Sequence, residues 1–87
     1  MALKIIFMGT PEFAVPILDS INKSKHNILS VYTQPPKKRD RGLKLRISPI
    51  HEYSKATKLT VRHPENLNSK EEIKKITELN PDVVVVA

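Results

Sequence analysis

The stretch that decides the fold is KIIFM at Lys4–Met8, an unbroken apolar run that Gly9 follows at once. Its hydrophobic side chains do not alternate with polar ones, and this pattern is typical of a strand that is covered on both faces. A second run of the same kind is DVVVVA at Asp82–Ala87. The two runs together predict a parallel sheet with helices packed on its two sides.

Two further strand candidates lie between these runs, at Ile28–Thr33 and, with a weaker pattern, at Leu59–Arg62. Segments with helical spacing separate each candidate from the next. The resulting order, βαβαβαβ, predicts an α/β fold with strand order 3-2-1-4, the first half of a doubly wound, Rossmann-like parallel sheet. Because no helix follows the fourth strand, we expect residues 1–87 to be the incomplete amino-terminal portion of a longer domain.

The first predicted helix follows the first strand. Thr10 is the expected N-cap, and Pro11 suits the first turn. Either the helix is kinked at Pro16, or residues 11–15 form a turn and the regular helix starts later, because an interior proline removes a helix hydrogen bond. The apolar stripe consists of Phe13, Ala14, Ile17, Leu18 and Ile21.

The other two helices carry clearer start signals. Ser48-Pro49 is a cap followed by a first-turn proline, and Ser69-x-x-Glu72 is a capping box. The third helix should end at Asn80-Pro81. The predicted apolar faces are Ile50, Tyr53 and Ala56 in the second helix and Ile73, Ile76 and Leu79 in the third.

The positive charge of the chain is concentrated in one segment. The whole chain has a net charge of +6, and Lys37–Arg46 holds six basic residues and one acidic residue, a net of +5. We call residues 35–47 the basic loop. It begins after a strand end at Gln34 and finishes at the Ser48 cap, so both its ends are anchored. This density of cations predicts a docking site for a polyanion, and a solvated, mobile loop is the alternative.

RNA is the polyanion that the basic loop fits best. Arginines can make bidentate phosphate contacts, lysines point-charge contacts, and a glycine lets the backbone turn against a ligand. No aromatic residue interleaves the charges, which favours backbone and shape contacts with RNA over base stacking. The candidate RNA-binding residues are Arg41, Lys44, Arg39, Lys38, Lys37 and Gly42.

The turn Gly9-Thr10-Pro11 lies where the first strand meets the first helix, a place at which backbone N–H groups can hold an anion. It lacks the Gly-x-Gly-x-x-Gly pattern of a dinucleotide site, and the alternative is a tight turn near the active site that needs glycine for close packing. Ligands of such folds lie beyond the carboxyl ends of the strands, here at Gly9-Thr10, near Gln34 and after Ala87.

The remaining chemistry-bearing residues predict no further site. His26, His51 and His63 are scattered along the sequence without metal-ligand spacing, so we interpret them as surface residues and expect no metal. The chain has no cysteine, which excludes disulfides and fits the cytoplasm. No apolar stretch approaches the roughly 20 residues that cross a membrane, and no membrane partner is expected.

Four segments of the chain run in the same order as in one known family. They are IIFMGTPEFAVP at 5–16, VYTQP at 31–35, RGLKL at 41–45 with SPI at 48–50, and NPDVVVVA at 80–87. With these segments the chain resembles the amino-terminal part of the methionyl-tRNA formyltransferases. It departs from many members in having Lys38-Arg39-Asp40 where they have a Pro-Ala-Gly type of stretch.

The resemblance implies an enzyme of translation initiation. The family transfers the formyl group of 10-formyltetrahydrofolate to the amino group of methionyl-initiator tRNA. The loop that matches residues 35–47 contacts the tRNA in that family, so Arg41 is the first candidate and no DNA partner is expected. The family's catalytic Asn and His, in an Asn-x-His-x-Ser-x-Leu-Pro segment, and its later Asp have no counterpart in the chain. We therefore assign no catalytic residue and expect the 87 residues alone to be inactive.

Two other functions stay open on the sequence. One is a small βα RNA-binding module without catalysis, and the other is a fragment of a formyltransferase that acts on a nucleotide sugar or another small metabolite. The coding DNA beyond Ala87 separates the enzyme fragment from the module, because only the fragment predicts an Asn-x-His-x-Ser segment within a few tens of codons.

Overall fold

The computed structural model describes residues 2–39, 44–66 and 68–87. It confirms an α/β fold in which helices interleave with parallel strands. In chain order the described elements are β1 (Lys4–Met8), α1 (Ala14–Asn22), β2 (Asn27–Tyr32), β3 (Lys37–Arg39), β4 (Lys44–Arg46), α2 (Pro49–Ala56), β5 (Val61–Arg62), α3 (Lys70–Leu79) and β6 (Val83–Val86).

Four parallel strands form the main sheet, in the order β5-β2-β1-β6. These are the four predicted strands, and their order is the predicted 3-2-1-4. The central strand β1 is buried, whereas β6 at the edge leaves Val83, Val84 and Val86 exposed by 39%, 42% and 74%. The apolar run of β6 therefore contributes much less to the core than that of β1.

The core lies between the sheet and the first two helices. Phe7 of β1 and Val31 of β2 pack with Ala14 and Leu18 of α1 and with Ile50 of α2, and all five side chains are buried. The residue after Val31, Tyr32, points to the opposite face, because side chains alternate along a strand. There it reaches Glu72 of α3. The sheet is thus covered on both faces, as the unbroken apolar run of β1 predicts.

The first helix begins later than the Thr10 cap predicts. Ala14 is its first residue, and Phe13 occupies the N-cap position without a side-chain hydrogen bond. Pro16 therefore falls in the first turn, where an N–H has no partner within the helix. The helix therefore starts after a turn, as the second alternative predicts, but the turn spans residues 11–13 rather than 11–15. Thr10 as the N-cap was wrong, because its hydroxyl instead accepts a hydrogen bond from the backbone N–H of Gln34 at 3.1 Å.

All three predicted apolar faces are only partly buried. In the first predicted stripe, Phe13 at the N-cap and Ile17 in α1 are 66% and 42% exposed, because the core takes up only the side that holds Ala14 and Leu18. In α2, Ala56 is exposed and Ser54 is buried in its place. In α3, Ile73 and Leu79 are 52% and 37% exposed. Helical spacing predicts which residues share a face, but it does not predict which edge of that face another element covers.

The caps of α2 and α3 agree with the sequence. The Ser48 hydroxyl accepts a hydrogen bond from the N–H of His51 at 3.0 Å, and the Ser69 hydroxyl accepts one from the N–H of Glu72 at 3.2 Å. Asn80 ends α3 in the left-handed conformation, with φ at 50°. The carboxylate of Glu72 binds Arg62 and Tyr32, which places it in the interior rather than in a reciprocal capping bond.

The basic loop contains two strands that the sequence does not predict. β3 pairs antiparallel with β4, with Lys37 opposite Arg46 and Lys38 opposite Leu45, and this pair is a sheet separate from the main one. Lys and Arg are not typical strand formers, which is why the pattern gives no sign of it. Arg41 and Gly42 lie outside the described residues, and so do the side chains of Lys37, Lys38, Arg39 and Lys44.

Candidate functional site

A cleft of about 560 Å³ lies at the carboxyl ends of the main-sheet strands. β1 lies at the switch point of the sheet, because the connections run from it to β2 on one side and return to β6 on the other. Ligands of open α/β sheets bind in such a crevice. Gly9, Thr10, Gln34 and Ala87 all line the cleft, so the structure brings together the three places where the sequence predicts ligand binding.

Gly9 forms a tight turn at the floor of the cleft. Its N–H donates to the carbonyl of Tyr32 at 2.9 Å, and the N–H of Ala14 donates to the carbonyl of Pro11 at 3.0 Å. These donors are therefore not available to an anion. A Cβ on Gly9 would lie 3.0 Å from Cε1 of Phe7 and 3.2 Å from Cβ of Ala14. The geometry favours the close-packing interpretation of Gly9-Thr10-Pro11 over an anion site.

Replacing Gly9 by alanine should destabilise the protein. The added methyl group meets Phe7 and Ala14, both of which are 0% exposed and have little room to move. Overpacking of this kind costs about 1–3 kcal/mol. Urea unfolding followed by circular dichroism measures the change. An unaltered midpoint would show that the turn does not depend on the absence of a side chain.

A partly buried charge cluster lies between the sheet and α3, beside the cleft. The carboxylate of Glu72 accepts hydrogen bonds from Arg62 Nη2 at 2.8 Å, Arg62 Nε at 3.2 Å and the hydroxyl of Tyr32 at 3.2 Å. The bonds from Arg62 lower the pKa of Glu72 against the opposing effect of burial. Burial and the neighbouring Glu72 carboxylate raise the pKa of Tyr32. The cluster holds α3 against β2 and β5, and we assign it no catalytic role.

Three hydroxyl groups connect the cleft to the base of the basic loop. Thr33 Oγ1 lies 2.6 Å from Ser48 Oγ and 3.3 Å from Thr10 Oγ1. Thr33 and Thr10 line the cleft, and Ser48 begins α2 directly after the loop. Sequence reasoning identified Ser48 only as a helix cap and did not single out Thr33.

The histidines are less scattered in the fold than in the sequence. The rings of His51 and His63 are 5.2 Å apart, and burial with the neighbouring His63 and Lys55 lowers the pKa of His51. His26 accepts a hydrogen bond from the N–H of Leu3 at 2.9 Å, which gives it a structural role. Within residues 2–39, 44–66 and 68–87, no three or more His, Cys, Asp or Glu side chains gather as metal ligands would.

The described helices include none with the length and apolar character that a membrane crossing requires.

Comparison with known proteins gives one consistent family. The family model described as formyl transferase matches residues 3–87 of the chain. Curated methionyl-tRNA formyltransferases are similar over nearly the whole chain. That of Ehrlichia ruminantium (strain Gardel) is 51% identical over 85 residues, and that of Orientia tsutsugamushi (strain Boryong) is 46% identical over 85 residues. The matches cover 97% and 98% of this chain and 28% of each relative, so the chain spans just over a quarter of their length.

Proposed function

Because the chain belongs to the formyl transferase family, we propose that it is the amino-terminal portion of a methionyl-tRNA formyltransferase domain, whose basic loop binds the initiator tRNA. The observation that carries this proposal is the concentration of charge. Five of the six net positive charges lie in Lys37–Arg46, between the end of β2 and the start of α2. The names of the relatives support tRNA as the polyanion that these charges meet.

The basic loop begins next to the cleft, so tRNA binding by the loop and a reaction in the cleft can occur side by side. Thr33, Gln34 and Pro35 line the cleft, and β3 begins two residues later. A long ligand bound along the loop would therefore have one end near the switch point of the sheet. The expected RNA contacts are to phosphates, made by Arg41 first and then by Lys44, Arg39, Lys38 and Lys37, with Gly42 as a further candidate.

The reaction that we propose for the whole protein is acyl transfer. The amino nitrogen of the methionine attacks the formyl carbon of 10-formyltetrahydrofolate, the bond from that carbon to the folate nitrogen breaks, and this nitrogen takes up the proton that the amine loses. The described residues that line the cleft include no lysine or arginine that could pair with the carboxylates of a folate. We therefore assign neither folate binding nor catalysis to residues of this chain.

Titration of labelled initiator tRNA with the chain tests the proposal, with fluorescence anisotropy as the readout. The affinity should fall steeply between about 50 mM and about 200 mM salt, because each phosphate that is neutralised releases counterions. A DNA duplex of equal length is the control for charge alone and should bind more weakly. The absence of tRNA binding at low salt, or equal affinity for the duplex, would contradict the proposed partner.

A further inference from the structure

The basic loop begins after strand β2 and ends at helix α2, and the residues at these two ends are hydroxyl residues that contact each other. Thr33 immediately follows β2, Ser48 immediately precedes α2, and their side-chain oxygens are 2.6 Å apart. Both residues are buried, with 7% and 6% of their surface exposed. This hydrogen bond joins the two ends of the segment from residue 34 to residue 47.

A second contact joins this hydrogen-bonded pair to the cleft. Thr10 Oγ1, in the turn after β1, lies 3.3 Å from Thr33 Oγ1 and accepts the N–H of Gln34 at 3.1 Å. Gln34, the first residue of that segment, is therefore also bonded to the turn after β1. These contacts tie three segments together: the turn after β1, the end of β2 and the start of α2.

The pairing of β3 with β4 does not link the basic loop to the cleft. β3 and β4 bond to each other, in a sheet separate from the main one. This pairing holds the two arms together, but it does not fix their direction relative to the cleft. A hydrogen bond between the end of β2 and the start of α2 restricts that direction, since it removes the freedom of the two connections to move apart.

We propose that Thr33 and Ser48 form a positioning pair that sets the direction of the basic loop relative to the cleft. The inference rests on the proposed function for its purpose, because a tRNA that is held by the loop must present its reactive end at the switch point. The claim that the pair sets the direction of the loop rests on the observed hydrogen bond alone. Neither hydroxyl is a catalytic residue, since neither is placed at the reacting atoms.

Thr33→Val removes the 2.6 Å bond to Ser48, together with the longer 3.3 Å contact to Thr10. Valine keeps the shape and β-branching of threonine, which suits the end of a strand, but it has no hydroxyl. Ser48 then still caps α2 through the N–H of His51. Thr33→Ser should restore the bond and is the conservative rescue. Thr77→Val is the matched control, because the Thr77 hydroxyl bonds only to the Ile73 carbonyl in its own helix at 2.8 Å.

The direction of the basic loop can be measured as a distance distribution. The chain has no cysteine, so Lys38→Cys and Lys74→Cys place one spin label on β3 and one on α3 without interference. In double electron–electron resonance, Thr33→Val should broaden the distribution, while Thr33→Ser and Thr77→Val should leave it as in the parent. An unchanged distribution in Thr33→Val would overturn the proposal.

A second variant provides the test in case Thr33→Val does not fold. Ser48→Gly removes the other hydroxyl, and glycine at an N-cap costs a helix only a few tenths of a kcal/mol relative to serine. It should broaden the distance distribution as Thr33→Val does. If circular dichroism shows that Thr33→Val is unfolded, Ser48→Gly decides the matter alone. A narrow distribution in a folded Ser48→Gly protein would overturn the proposal.

Affinity for initiator tRNA separates this proposal from the proposed function. Thr33→Val should weaken binding roughly three- to ten-fold, the range that one net hydrogen bond controls. The salt dependence should not change, because the same phosphates are neutralised. If the parent chain binds no tRNA, the proposed function fails, and the distance measurement still decides whether Thr33 and Ser48 set the direction of the loop.

Discussion

Replacing Arg41 and Lys44 together by alanine should weaken the binding of initiator tRNA and reduce its dependence on salt. The two side chains are proposed to neutralise two phosphates. Each such contact contributes about 0.7 to 0.9 to the slope of log affinity against log salt, so the slope should fall by about 1.4 to 1.8. Affinity at low salt should fall by at least ten-fold. Fluorescence anisotropy at several salt concentrations measures both quantities.

The control for this experiment removes the same charge from another part of the molecule. Lys70→Ala with Lys74→Ala also lowers the net charge from +6 to +4, but it does so on the exposed surface of α3. If only net charge mattered, the two double variants would behave alike. We expect the α3 variant to lose much less affinity. Equal slopes for the two variants would remove the special role of the basic loop.

Glu72→Gln should cause the largest loss of stability among the polar substitutions. Glu72 is only 7% exposed, and its carboxylate accepts bonds from Arg62 and Tyr32. Glutamine fills the same space, but it removes the negative charge and leaves the half-buried guanidinium of Arg62 without its counterion. Removing one partner of a partly buried ion pair is destabilising, and we expect the melting temperature at neutral pH to fall by roughly 5 °C.

The loss should depend on pH in a defined direction. Arg62 holds the pKa of Glu72 below its ordinary value of 4.5, so as the pH falls this carboxylate binds a proton in the unfolded chain before it does in the folded one. The contribution to stability is therefore complete above pH 4.5 and disappears as the pH falls through the folded pKa. The parent and Glu72→Gln should converge in acid. Melting curves from about pH 3 to about pH 7 test this.

The neighbouring residue provides the matched control. Glu71 pairs with Lys75 at 3.4 Å, and its side chain is 77% exposed. Exposed pairs of this kind contribute little, so Glu71→Gln should change the melting temperature by about a degree or two. If both variants lost the same stability at neutral pH, the burial of the Glu72 carboxylate would not be the cause.

The sequence predicted the main sheet because its signals are local. Unbroken apolar runs identify β1 and β6, and right-handed crossovers leave few possible strand orders. The caps at Ser48 and Ser69 are likewise set by residues three apart, and both formed. Where two local signals competed, as Pro11 and Pro16 did for the start of α1, the pattern alone could not decide between them.

The interactions that the sequence did not predict join residues far apart in the chain. Glu72 meets Tyr32 across 40 residues, and Thr33 meets Ser48 across 15. No spacing rule relates such pairs, since the fold must exist before they can meet. The position of the cleft was predictable because the switch-point rule depends on strand order alone. The hydrogen bonds that connect this cleft to the basic loop were not.

Site-specific photocrosslinking tests the central claim most directly, namely that the basic loop contacts initiator tRNA. Lys38→Cys and, as the control, Lys74→Cys each carry one photoreactive label in a chain that has no other cysteine. We expect the label on β3 to crosslink to the bound tRNA and the label on α3 not to. Crosslinks of equal yield from both positions, or none from β3 while tRNA is bound, would contradict it.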